Sequence, residues 1–253
     1  MRAKKVAMLT LAALVGLAAP AAANPGDAPL KNGKPLIGDP PPLSGTGYTF
    51  ATTAPLWSVV AVRPSPGRDV DLDLYADGTT GPSLATSDQN AGLPDFIAID
   101  SSKVAPAAYR TVVTPYGGSA PYTLTWTAPA QSEQLGYLQY AVGNDENMRA
   151  TDVDIKAGQC TAFFVFGTTH NTGSFFVYRG AAGDPAIVTA KTPPLQKVNF
   201  KPGDKTDYYD PVAWHYKPTV RSHFLMLVVN QHDTSDSNPL EYAIQPADPS
   251  FCA

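Results

Sequence analysis

At 253 residues, 43% of them hydrophobic, the chain is long enough to bury a large core, either as one big sandwich or as two small ones. Only 16% of residues are charged, the formal net charge is −4, and no basic cluster interrupts the sequence. A mildly acidic chain of this kind is a poor candidate for binding nucleic acid or anionic lipid.

The first 23 residues read as a signal peptide. Arg2, Lys4 and Lys5 make a basic start, residues 6–18 form an apolar run too short to span a bilayer, and Ala21, Ala22 and Ala23 offer a small-residue cleavage site. No cysteine follows the apolar run to take a lipid, and no second long apolar segment or sorting tail follows, so a secreted, extracellular product free of the membrane is expected. Three of the 18 basic residues lie in this leader, which leaves 15 against 22 acidic ones and a net charge of −7. Residues 24–47, with Pro40, Pro41 and Pro42, are too rich in Pro, Gly and Lys to bury much apolar area and read as a flexible spacer.

Strands and turns follow. Residues 57–62 read as a buried strand, Pro64, Ser65, Pro66 and Gly67 make a turn, and residues 69–75 alternate acid with apolar without a break. That period of two puts Val70, Leu72 and Leu74 on one face and Asp69, Asp71 and Asp73 on the other, the pattern of a half-solvated antiparallel sheet. Further strands are expected at 96–99, 109–114 and 122–126, the last two joined by the loop residues Pro115, Tyr116, Gly117, Gly118 and Ser119. Residues 127–133 mark a boundary. A second series then runs through 137–142, 153–155, 162–166, 175–178, 187–188, 212–216, 224–229 and 241–244.

The two series repeat one another. Residues 162–166 and 174–178 take the places of 57–62 and 71–75, and 225–229 and 241–244 take those of 109–113 and 122–126. A repeat of about 100 residues implies two small units, and the short strands with turns between them imply antiparallel sandwiches. The expected fold is all-β, with two tandem jelly-roll-like β-sandwiches at 48–130 and 136–253. Cys160 and Cys252 are the only cysteines, and in an exported chain they read as one disulfide, worth about 4 kcal/mol for a loop of roughly 90 residues.

The first unit resembles the bacterial pre-peptidase C-terminal domain, a β-sandwich appended to secreted peptidases. The resemblance covers residues 48–127. It rests on Tyr48-Thr49-Phe50, Asp71-Leu72-Asp73-Leu74-Tyr75, Leu84-Ala85-Thr86-Ser87, Phe96-Ile97-Ala98-Ile99, Ala105-Pro106-Ala107-Ala108-Tyr109 and Ala120-Pro121-Tyr122-Thr123-Leu124. Ala107 and Ala108 replace the family's Gly-Thr before the late tyrosine, and the second unit keeps the layout without the acidic strand. The resemblance implies a non-catalytic accessory module that binds surfaces or matrix polymers or aids secretion.

Catalytic signals are sparse. There is no Gly-X-Ser-X-Gly elbow and no His-Glu-X-X-His helix. His170, His215, His223 and His232 lack the tight local spacing of zinc ligands and read as turn and strand-end residues. Asp69, Asp71 and Asp73, about 6.6 Å apart along one strand face, invite a calcium reading in which Asp69 or Asp71 joins Asp95 or Asp100. A helix-loop-helix calcium loop is excluded by Leu74 and Thr80 at its glycine and glutamate positions. The same acids equally serve to block edge pairing. Tyr208, Tyr209, Trp214 and Tyr216 form a candidate aromatic platform for a sugar or peptide, with packing inside a sandwich as the alternative. The expectation is a monomeric, non-enzymatic protein that binds an extracellular polymer or protein. A carbohydrate-binding module and a cryptic hydrolase remain as alternatives.

Overall fold

The computed structural model describes residues 27–39, 44–53, 56–79, 81–116, 121–128, 133–142, 147–166, 173–200, 212–230 and 240–252. The leader lies outside them. The first half contributes β1 (Ala28–Pro29), β2 (Leu36–Gly38), β3 (Thr46–Ala51), β4 (Trp57–Pro64), β5 (Asp69–Ala76), β6 (Ala85–Ser87), β7 (Asp95–Asp100), β8 (Ala108–Tyr116) and β9 (Tyr122–Thr127). The second half contributes β10 (Glu133–Gln134), β11 (Leu138–Val142), β12 (Met148–Ile155), β13 (Thr161–Phe166), β14 (Gly173–Arg179), β15 (Ile187–Thr189), β16 (Gln196–Phe200), β17 (Val212–Tyr216), β18 (Ser222–Asn230) and β19 (Leu240–Pro246). A short 3-10 turn, Pro249–Cys252, follows.

These strands form four sheets. Sheet I runs β1-β3-β8-β5-β6 and sheet II runs β15-β7-β4-β9-β2; sheet III runs β10-β12-β18-β14-β16 and sheet IV runs β11-β19-β13-β17. The orders of I and III superpose strand for strand, as do those of II and IV apart from β15. Even the parallel pairs agree: Ala28 lies beside Tyr48 and Glu133 beside Val153, each partner twenty residues downstream. The repeat expected from sequence is thus a repeat of topology, and the fold is all-β with two antiparallel sandwiches.

The alternation along β5 holds, with Val70, Leu72 and Leu74 buried beneath half-exposed aspartates. They join Val60, Val62, Ile97, Ile99, Val113 and Leu124 in the core between sheets I and II. Phe163, Val165, Phe175, Phe224, Met226, Tyr242 and Ile244 fill the core between III and IV. A third apolar layer lies between sheets II and III. In it Trp57, Val59, Ala61, Phe96 and Ala98 pack on Met148, Phe176, Tyr178, Leu225, Leu227 and Val229. Strands β4, β7 and β18 therefore bury both faces, which is why each carries a continuous apolar run, at 59–62, 96–99 and 224–229.

Two features differ from the sequence reading. Much of the stretch expected to be a flexible spacer belongs to the fold. Arg110 Nε pairs with Asp27 at 2.5 Å, Asn32 exchanges two 2.8 Å hydrogen bonds with the backbone of Ala128, and β2 pairs with β9. Backbone and polar side-chain hydrogen bonds hold this segment, so its poor apolar content does not free it. Gly38 also lies under the Tyr122 ring, where a Cβ would come within 2.2 Å. The second difference is β15, which leaves the second half to pair antiparallel with β7 of the first, Val188 opposite Ala98. The units share a sheet edge as well as a buried seam.

The disulfide forms as expected. Cys160 and Cys252 are bonded with Cα atoms 5.8 Å apart, pinning the terminal 3-10 turn to the start of β13.

Candidate functional site

The candidate calcium ligands do not converge. Asp69, Asp71 and Asp73 point outward from sheet I, whereas Asp95 lies on the inner face of β7 and is fully buried. Its Oδ1 accepts hydrogen bonds from Ser87 Oγ at 2.6 Å and the Gln89 N–H at 3.0 Å. Asp100, five residues further along β7, necessarily faces the other way, into the seam. Among the described residues no group of three or more His, Cys, Asp or Glu side chains is placed to hold a metal ion. The carboxylates still influence one another. Burial, then the charges of Asp69, Asp88 and Asp73, push the Asp71 carboxyl up to about 6. Burial pushes Asp95 up to about 7 despite its two hydrogen bonds.

Of the candidate aromatic platform, Trp214 and Tyr216 are turned inward. Trp214 and Tyr216 share a strand face, as expected, but that face is the inner one. Trp214 stacks on Phe163 with centroids 5.2 Å apart and planes 7° apart, and meets Phe175 edge-on at 5.6 Å. Tyr216 packs edge-on against Phe224, and its hydroxyl accepts a hydrogen bond from Arg179. Alternation along β17 fixes which residues share a face and leaves open which face meets the core. Tyr208, Tyr209, His170 and His232 lie outside the described residues, and His215 is exposed, stacked on Phe251.

The polar cluster that the fold does assemble sits at one end of the seam, where sequence reading placed only a strand-end histidine. His223 on β18 has the parity of Leu225, Leu227 and Val229 and so faces sheet II. Its Nδ1 lies 3.1 Å from Asp152 Oδ2, and its Nε2 lies 3.0 Å from Ser102 Oγ and 3.4 Å from Asp100 Oδ1. Ser102 Oγ in turn donates to Asp100 Oδ1 at 2.6 Å. Asp152 Oδ2 also accepts the Trp57 N–H at 3.1 Å, and Lys103 Nζ stands 3.4 Å from Asp100 Oδ2. Gly180 leaves room for the group, since a Cβ there would come within 2.7 Å of the imidazole and 2.8 Å of Asp100.

Ser102, His223 and Asp152 have the connectivity of a nucleophilic triad: serine on Nε2, carboxylate on Nδ1. The electrostatics oppose that use. Burial alone would depress the imidazole, but hydrogen bonds and charge from Asp100 and Asp152 together raise it to about 9. Burial would likewise raise Asp100, yet the bonds from His223 and Ser102 hold it below the usual carboxylate range. At neutral pH both ring nitrogens carry protons, and a doubly protonated imidazole cannot accept one from serine. Ser102 Oγ meanwhile donates its hydrogen bond to Asp100 Oδ1.

At the opposite end of the seam an amide side chain of the second half reaches the backbone of the first. Asn147 Nδ2 donates to Ala61 O at 3.0 Å and to Thr123 O at 3.2 Å, while its Oδ1 accepts from Thr125 Oγ1. Apart from Ser102 and Lys103, which reach Asp100 locally, these partners lie 22 to 121 residues apart and leave no local signature. One hint exists in the sequence. Asp152 follows Met148 and Ala150 on the seam-facing positions of β12, an acid placed next to apolar residues on the same strand face.

No family model matches the sequence, and no curated protein matches it. Among solved structures the chain is similar to the insecticidal delta-endotoxin Cry8Ea1 of Bacillus thuringiensis, at 8% identity over 81% of this chain and 54% of that one, with a TM-score of 0.27. It is also similar to a carbohydrate-binding module of the β-sandwich superfamily, at 10% identity over 86% and 100% of the two chains, TM-score 0.25. A glycoside hydrolase domain, Endo-D from Streptococcus pneumoniae, aligns at 13% identity over 79% and 34%, TM-score 0.20. The chain spans about half the length of the first of these. At such TM-scores none bears on what this chain does, and the fold stands on its own strand pairing.

Proposed function

We propose that the chain is a secreted, non-catalytic binding protein, a doubled accessory module of the pre-peptidase C-terminal kind, which engages an extracellular polymer or protein. The observation that carries the non-catalytic reading is His223 held as an imidazolium between Asp100 and Asp152, across a seam between two sandwiches. These contacts support reading the serine, the histidine and the two carboxylates as a joint. A disulfide between Cys160 and Cys252 supports an oxidising compartment. Among the described residues no helix is long and apolar enough to cross a membrane.

The test is an array of glycans and matrix proteins probed with the purified chain, once with calcium and once with chelator. Binding to one class of polymer or protein is expected; a blank array under both conditions overturns the reading. Loss of binding in chelator would bring calcium into the site, although the five aspartates do not gather around one point.

The distances of 3.0 and 3.1 Å around His223 favour a hydrolase as the second reading. It requires ester turnover that rises as pH passes 9, when the imidazole loses a proton, and that vanishes in Ser102→Ala. Absence of turnover between neutral pH and pH of about 10 removes it.

A further inference from the structure

The two copies of the sandwich differ in pairing at one sheet edge. In sheet II the order from the inner strand outward is β4, β7, β15, whereas in sheet IV it is β13, β17, with no strand beyond β17 among the described residues. Strand β17 is the topological equivalent of β7. Strand β7 is covered by an extended segment from the neighbouring unit, with Ile187, Val188 and Thr189 opposite Ile99, Ala98 and Ile97. The added strand packs to both sides: Ile187 against the core between sheets I and II, and Val188 within the seam.

The geometry points to the outer edge of β17, open among the described residues, as an acceptor for an extended polypeptide segment of a partner protein, added antiparallel as β15 is added to β7. This names the kind of partner for the binding reading above and rests on it. Backbone hydrogen bonds would supply affinity, and a β-branched or aliphatic side chain would cover the half-buried Trp214 and Tyr216, as Ile187 covers its own core. Natural edges are blunted by charge, proline or brevity. Strands β1, β2, β6 and β10 are two or three residues long, and β16 carries Lys197. The two edges of sheet IV, β11 and β17, are each five residues with no Lys, Arg, Asp or Glu; only β17 has a counterpart, β7, on which a further strand is seated, whereas β2, the counterpart of β11, is itself the last strand of its sheet.

A second copy is the weaker donor. Its segment in the place of β15 would be residues 77–84, which contain Gly78 in a left-handed turn, Gly81 and Pro82, and no strand among the described residues. The sheet that would have to stack on sheet IV presents Asp69, Asp71 and Asp73.

The probe is a synthetic peptide of the chain's own residues 184–192, the segment that carries β15, titrated into isotope-labelled full-length protein while backbone amide shifts and exchange are followed. Saturable shifts and slowed exchange at Val212–Tyr216 are expected. Two further peptides, N-methylated on alternate residues in the two possible phases, separate strand addition from apolar adhesion. One phase should weaken binding at least about tenfold and the other leave it nearly unchanged, because an added strand uses only one of its edges. The inference is overturned by no shift at β17 up to about 1 mM peptide, by shifts only elsewhere, or by equal affinity of the two methylated phases. Protected β17 amides without peptide, in a sample of doubled mass, would assign the edge to a second copy and also overturn it. A ligand found on the array that leaves β17 shifts unmoved sinks this site while the binding reading stands; a blank array with peptide seated on β17 does the reverse.

Discussion

His223 and Asp100 belong to different sandwiches and meet across the seam at 3.4 Å, with Asp152 on the imidazole's other nitrogen. The contact explains how two buried carboxylates tolerate one another: each is paired with the same cation. It also accounts for the strand-end acid of β7, which has no place in a purely apolar layer. Removing the cation should therefore cost more than removing a neutral residue of the same size. His223→Ala is expected to lower stability by roughly 3 kcal/mol, since it leaves Asp100 and Asp152 buried without a shared counter-charge. Much of that loss should return in the triple variant with Asp100→Asn and Asp152→Asn, measured by denaturant unfolding.

The stability of the whole chain should fall with rising pH. The His223 imidazole is raised in the folded state, so its contribution is complete below about 6.5 and fades as pH climbs to about 9. Asp71 and Asp95 act in the same direction: their folded carboxyls are raised to about 6 and about 7, so ionising them increasingly opposes folding above the ordinary carboxylate range. Asp100 works oppositely, being lowered, and its contribution is lost only in acid. Thermal unfolding should thus show a higher midpoint at pH 5 than at pH 9. A midpoint that rises across that interval would contradict the assignments.

Gly180→Ala tests the packing of the joint. The added methyl would stand 2.7 Å from the imidazole and 2.8 Å from Asp100, closer than carbon atoms approach these groups. Its backbone is not in a left-handed conformation, so the cost is purely one of space. A loss of about 1–3 kcal/mol is expected, with the midpoint of His223 titration moved downward as the ion pairs lengthen.

The seam should make the two sandwiches unfold together. Independent units joined by a short linker would melt separately, whereas here Trp57, Phe96, Phe176, Leu225 and Leu227 bury one another across the boundary. Differential scanning calorimetry should show one transition whose calorimetric and van't Hoff enthalpies agree. Asn147→Ala, which strands the carbonyls of Ala61 and Thr123, should lower that single transition by about 1–3 kcal/mol without splitting it. Two resolved peaks would show that the seam is not cohesive.

Much of this was legible in the sequence because period and repetition are local signals. The alternation of Asp69 through Leu74 gave strand, face and burial together, and the matched series at 57–75 and 162–178 gave the doubling. The unbroken apolar runs at 59–62, 96–99 and 225–229 carry the mark of strands buried on both faces, and hence of a third layer, though alone they resemble ordinary core strands. Strands β1 and β2 were hidden because they are two and three residues long and held by backbone bonds that leave no side-chain pattern. The inward turn of Trp214 and Tyr216 was hidden because alternation reads the same whichever face meets the core. The joint was hidden most completely: Ser102, Asp152 and His223 come from three distant strands or turns, and only the stacking of sheet II on sheet III brings them together.

The protonation state of His223 decides most directly between a joint and a catalytic base. Followed by imidazole proton and carbon shifts in the full-length protein, the ring should stay doubly protonated through neutral pH and titrate near 9. A midpoint at or below 7, with a free Nε2 facing Ser102 at neutral pH, would contradict it.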